Sequence, residues 1–343
     1  RSFSSLHDDT WPAAPSTVLA RAATTLSQLL RVNRALTITG LLMAATVLAT
    51  LIGLLVDPRV ITGAPAWLKP TKFAISTSLY AFTFVWLLGF VQGHRRLVTI
   101  IASGTAAALS IEVALIIVQV VRGTTSHFNY TTLFDAALFS TMGVIIVGAW
   151  LLAAAAAILL LIQRLADPAF AWALRLGLLI ALVGMAVAFF MPAPTPDQLA
   201  ALQAGVRPTS LGAHSVGPPD GGPGLPLVGW STLAGDLRVA HFVGLHALQV
   251  LPLLGWLLAR RTSLPTRHRL GLVWVAGLSY LGLVVILTWQ ALRGQSVIAP
   301  DALTLLALAS LVAAAGLSSL VILSGPTSQS GKPAYGTVGG RVA

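Results

Sequence analysis

The sequence predicts an all-α, polytopic membrane protein, and three observations carry that prediction. Of 343 residues, 56% are hydrophobic and only 9% charged, whereas about a quarter are charged in a typical soluble domain. The apolar residues gather in runs of roughly twenty, the length of helix that crosses about 30 Å of hydrocarbon. Between the runs lie connections that hold most of the charge. An ordinary soluble enzyme is excluded, and so is disorder, which needs low hydrophobicity and high charge.

Taken in order, nearly charge-free stretches at 36–56, 73–91, 97–121, 136–162, 176–191, 239–259, 270–292 and 302–323 predict eight transmembrane helices. The fifth is shortest. To span, it must start near Phe170 and take in Arg175, whose head would snorkel to the interface. Ahead of the first span, Leu19, Ala22, Leu26, Leu29 and Leu30 form one stripe, with Arg21, Arg31 and Arg34 near it. That pattern fits an interfacial amphipathic helix or a short helix packed on the bundle. The chain then divides into a tail with this helix (1–34), a first four-helix unit (35–163), a second (164–324) and a flexible tail rich in Gly, Ser and Pro (325–343).

A net charge of +11 would point to nucleic acid in a soluble protein, but no compact basic stripe interleaved with aromatics is present. In a membrane protein the same excess marks cytoplasmic loops. With eight spans, 14 of the 21 basic residues fall on one face, which predicts both termini in the cytoplasm of a bacterial-type inner or plasma membrane. The 45-residue connection 192–236 is then external. Its Gly-rich turns fit an ordered cap. The absence of cysteine excludes disulfides, thiolate metal sites and a Cys nucleophile.

An internal repeat links the halves. Gln119-Val-Val-Arg122-Gly123-Thr-Thr125 ends the third span, and Gln290-Ala-Leu-Arg293-Gly294-Gln-Ser296 ends the seventh. Lys72-Phe-Ala pairs with Arg238-Val-Ala, His94-Arg95 with His268-Arg269, and Asp135 with Asp301. An even number of helices per unit predicts two parallel four-helix repeats related by an axis along the membrane normal. This layout is similar to that of haem A synthases. That family's pattern implies histidine pairs within the helices of each half, and the first five spans here contain no intramembrane His. The resemblance therefore assigns no residue.

Glu112 is the one acidic residue deep in a span, and such a group must pair, face the bundle or be protonated. Helical spacing puts Glu112, Gln119 and Arg122 on one face. On the sixth span, Arg238, His241, His246 and Gln249 share an arc, and His246 falls near the depth of Glu112. Glu112 and His246 are thus the candidate acid/base or ligand pair. Gln119, Arg122, Arg238, Gln249, Arg293 and Lys72 are candidates to hold an anionic or polar substrate. His127, His214, His241 and Asp220 could offer N and O donors to a transition metal, and haem is the other cofactor considered.

Three function classes follow. The first is an integral membrane enzyme, or a cofactor- or metal-binding protein, with an outward-opening polar site for a lipophilic or small anionic substrate. The second is a secondary transporter or channel for a small solute or proton. The third is a structural or assembly subunit of a membrane complex. Alternating access needs polar groups reachable from both sides, and the cytoplasmic halves of the spans are almost wholly apolar, which favours the first.

Overall fold

The structure, a computed structural model, describes residues 18–325. It is all-helical apart from two short hairpins: α1 (Val18–Val32), α2 (Arg34–Val56), β1 (Val60–Ile61), β2 (Ala64–Pro65), α3 (Leu68–Leu88), α4 (Arg95–Val121), α5 (Leu133–Ile162), α6 (Pro168–Val187), α7 (Pro196–Gln203), β3 (Ser215–Val216), β4 (Gly235–Asp236), α8 (Leu237–Ala259), α9 (Thr266–Leu292) and α10 (Ala302–Ser324). Eight of these helices are long and apolar enough to cross a membrane, α6 doing so together with the 3₁₀ turn that follows it. Their outward faces agree with that role. Leu55 is 87% exposed, Val144 74% and Val312 71%, an arrangement tolerable in lipid and an aggregation hazard in water. The tails before Val18 and after Gly325, including the expected flexible C-terminal segment, lie outside the described residues.

Side chains start most of the spans. Asn33, Thr132, Asp167, Asp236 and Asp301 each accept a backbone N–H from the first turn of α2, α5, α6, α8 and α10, each cap being worth about 1 kcal/mol. These caps, together with a proline tolerated in a first turn, move several helix starts earlier than the apolar runs alone indicate. α3 begins at Leu68 because Pro70 sits where its missing N–H costs nothing. Arg175 turns toward the end of the neighbouring span. It donates to the Leu160 and Gln163 carbonyls at the end of α5 and lies over the Trp172 ring. His268, in the first turn of α9 ahead of its apolar run, is 4% exposed.

α2, α3 and α4 pack on one another and α5 packs on α4; likewise α6, α8 and α9 pack together and α10 packs on α9. One core fills the first group and continues onto α6 through Leu174, Leu178 and Ala181. A second lies among α6, α8 and α9. α1 packs against α2 and α3, with Leu29 in the first core.

The closest helix crossing is α6 on α8. A Cβ added at Gly184 would lie 2.5 Å from Gly244 Cα, and one at Gly244 would lie 2.4 Å from Gly184 Cα. Bare backbones meet there, the small-residue packing that substitutes for hydrophobic drive inside a bilayer.

The 192–236 segment folds as a cap over one end of the bundle. Tyr130 N–H donates to Thr209, Leu211 N–H to Phe128, Ala213 N–H to Met191 and Leu237 N–H to His214. Ser296 Oγ donates to the Ser231 carbonyl. The β1–β2 hairpin tip reaches the same cap, with Gly63 at φ +72° where a Cβ would strike Gly221 O at 2.3 Å. Both Arg-Gly turns therefore lie at the capped end.

Candidate functional site

The polar residues at the capped end sort into two sets, one consumed by structural pairing and one gathered around Glu112. The paired set contains the arginines. Arg122 donates to Gln119 Oε1 and Asp135 Oδ1, while Gln119 Nε2 donates to Asp135 at 2.9 Å and to the Thr125 carbonyl at 3.4 Å. In the second half, Arg293 pairs with Asp301, and Gln290 Nε2 donates to the Ser296 carbonyl at 2.9 Å. In each case the Gln side chain closes the turn six residues on, and Gly123 and Gly294 take φ +76° and +71° to make it. The first pair is the more sequestered, Asp135 being 3% exposed.

Arg238 is held by Asp236, itself 2% exposed, and donates to the Gly229 carbonyl at 2.6 Å. Lys72 Nζ donates to the Val228 carbonyl at 2.9 Å. Five of the six residues expected to hold an anionic or polar substrate, Gln119, Arg122, Arg238, Arg293 and Lys72, thus pin turns and the cap.

The second set surrounds Glu112, which is 4% exposed and whose Oε2 has no hydrogen-bond partner among the described residues. His127 Nε2 stands 3.6 Å from Glu112 Oε1, adjacent to it but too far for a hydrogen bond. Glu112 lies nine residues before the end of α4, about 14 Å along the helix axis. His127 reaches it because the connection after α4 turns back into the bundle through Phe128, at φ +59°. A left-handed aromatic residue is costly and persists only where its surroundings over-determine it. Here Phe128 stacks edge-on with His214 at 4.8 Å and with Phe139 at 5.3 Å.

His214, from the cap, lies nearly parallel to His127, with centroids 6.4 Å apart and planes 29° apart. Its Nδ1 is 2.6 Å from Asp220 Oδ2. Burial opposes ionisation of Asp220, yet the His214 ring and the His214 and Ser215 backbone N–H groups outweigh it and hold the carboxyl well below its usual range. Burial holds His214 below the ordinary imidazole value, and Asp220 pulls the other way. Burial, with Lys69 and His214 adding to it, holds His127 further down. Both rings are neutral at pH 7. Asp220 fixes the His214 tautomer with Nδ1–H toward the carboxylate, leaving Nε2 as an acceptor.

Lys69 completes the group. It belongs to the first turn of α3, beside Phe73 and in electrostatic range of Glu112 and Asp220. Lys69 is not among the candidate residues named from the sequence. Ser126, whose Oγ is 3.0 Å from His127 Nδ1, and the rings Phe73 and Phe139 are further members. No pattern in the sequence singles out the two phenylalanines.

His246 is elsewhere. It stacks on Phe242 at 4.2 Å, and Gln249, its polar neighbour, donates to Thr83 Oγ1 at 3.2 Å. Glu112 and His246 do not pair within 4 Å, so the imidazole beside Glu112 is that of His127. His241 Nδ1 is 2.8 Å from the Gly184 carbonyl at the α6–α8 crossing. The metal expectation from His127, His214, His241 and Asp220 meets the same obstacle: their ring nitrogens lie against Glu112, Asp220 and Gly184, and no group of three or more His, Asp or Glu is placed to hold a metal ion among the described residues. A haem reading finds no ligand pair there either. A hollow of about 490 Å³ between α8, α9 and α10 is lined by Leu254, Ala276, Ser279, Gly316 and similar residues, and no ionisable group reaches it.

No protein-family model, curated protein or solved structure matches this chain.

Proposed function

We propose that the chain is an integral membrane enzyme whose acid–base site lies beneath the cap, with Glu112–His127 and His214–Asp220 as its two proton-handling pairs. One observation carries the reading. Two half-buried imidazoles face each other, each backed by a carboxylate, and one of those carboxylates leaves a buried oxygen unsatisfied. A carboxylate-oriented imidazole with a free Nε2 is equipped as a general base, and a second His/carboxylate pair opposite it can return the proton. Stranding a buried carboxylate oxygen costs stability, a cost that a role in chemistry explains. The apolar cytoplasmic halves of the spans weigh against a transporter.

The test is comparative profiling of lipids and small metabolites in cells expressing the wild type, His214→Asn or Asp220→Asn. We expect a compound class that changes with the wild type alone, while both variants remain folded by gel filtration. Identical profiles for all three would overturn the enzyme reading.

The same reading takes the two groups α2–α5 and α6–α10 as parallel repeats, with the Glu112–His127 pair of the site in the first and the His214–Asp220 pair in the second. Supporting it are the matching Gln-to-turn and Arg–Asp contacts and the identical packing order. It also takes the cap as external and both termini as cytoplasmic, on the distribution of basic residues. The native chain has no cysteine, so single cysteines report cleanly. At the exposed positions Ala204 and Ser263, Ala204→Cys is expected to react with an impermeant thiol reagent in intact cells and Ser263→Cys only after lysis. The reverse pattern would invert the topology.

A further inference from the structure

We infer that the site binds the carboxylate of a membrane-soluble amphiphile and that Lys69 is the group that holds it; this rests on the acid–base reading of the same cluster. At the capped end, Arg59, Arg122, Arg238 and Arg293 each hold an aspartate, and Lys72 holds the Val228 carbonyl. Lys69 differs. Among the described residues its ammonium makes no hydrogen bond and no ion pair within 4 Å, and its one recorded contact is the Phe73 ring, 6.0 Å away.

Across the cluster, Glu112 Oε2 is buried and lacks a partner. An unused cationic donor and an unused carboxylate oxygen therefore belong to one site without touching each other. A group that satisfies both must accept from the ammonium and share a proton with Glu112, and a second carboxyl group does so, since two close carboxylates retain one proton between them.

Charge selects against the alternatives. One free ammonium balances one negative charge, whereas a phosphate monoester would bring nearly two toward Glu112 and Asp220. A neutral alcohol leaves the ammonium uncompensated. The walls select the rest of the molecule. Phe73, Phe128 and Phe139 surround His127, offering apolar surface that a small hydrophilic acid cannot use and an alkyl chain can.

The experiment is calorimetric titration of the full chain in lipid nanodiscs with hexanoate, hexyl phosphate, hexanol and acetate. Hexanoate is expected to bind most tightly. Lys69→Met should weaken hexanoate by about tenfold or more, the worth of a charge-assisted hydrogen bond. Lys69→Arg should restore most of the loss, and Arg59→Gln should leave binding unchanged. Equal binding of hexanol, tighter binding of hexyl phosphate or acetate, or wild-type affinity in Lys69→Met would each overturn the proposal. The order of the four ligands on the wild type needs no variant to fold. Titration is read without turnover, so selective hexanoate binding beside identical metabolite profiles would sink the enzyme and leave the carboxylate site standing.

Discussion

Glu112→Gln is expected to abolish turnover while leaving the protein as stable as the wild type, and Glu112→Leu is expected to raise its unfolding temperature. The physical basis is the stranded Oε2. A buried carboxylate with one oxygen unpaired and an imidazole 3.6 Å from the other is poorly compensated for the loss of water. An unsatisfied buried polar group carries a desolvation penalty of about 1–3 kcal/mol, which an apolar residue of similar size does not. A carboxylate kept only for packing would behave in the opposite way, its removal orphaning partners. Thermal unfolding in detergent of the three proteins decides between them. A marked drop for Glu112→Leu would assign Glu112 to the scaffold.

Gly244→Leu is expected to remove most of the folded protein. A side chain there would meet the Gly184 backbone at 2.4 Å, and backbone cannot yield as a flexible side chain can. Overpacking a core costs about 1–3 kcal/mol where neighbours adjust; here they have nowhere to go, and α6 and α8 are the most extensively packed pair of helices. Gly244→Ala should fall between the two. The measurement is the yield of monodisperse protein by gel filtration in mild detergent. Wild-type yield for Gly244→Leu would mean that the crossing is looser than the close approach of the two glycines requires.

The eight spans were legible because hydrocarbon thickness imposes a length that any apolar run either meets or misses. Their starts were less so, since a capping Thr132 or a first-turn Pro70 adds polar residues to a helix that hydropathy leaves out. Glu112 stood out as the lone deep acid. Its partner did not, because depth along straight helices matched it to His246, and depth says nothing of which way a side chain faces or whether a connection turns back into the bundle. The left-handed Phe128 makes that turn, and no local pattern announces it. The arginines were open to a better reading, since Asp236 stands two residues before Arg238, and Asp135 and Asp301 follow the two Arg-Gly turns within one short connection.

The pairing of those arginines has a kinetic consequence. With Arg59, Arg122, Arg238 and Arg293 each neutralised by a neighbouring aspartate, the rim beneath the cap projects little long-range field. Charged ligands are guided to an enzyme by such fields, and guided encounters slow steeply as salt is added. Arrival here is unguided. On the proposal made for Lys69, discrimination begins only after contact, at a half-buried ammonium, so it is written in how long a ligand stays rather than in how often one comes.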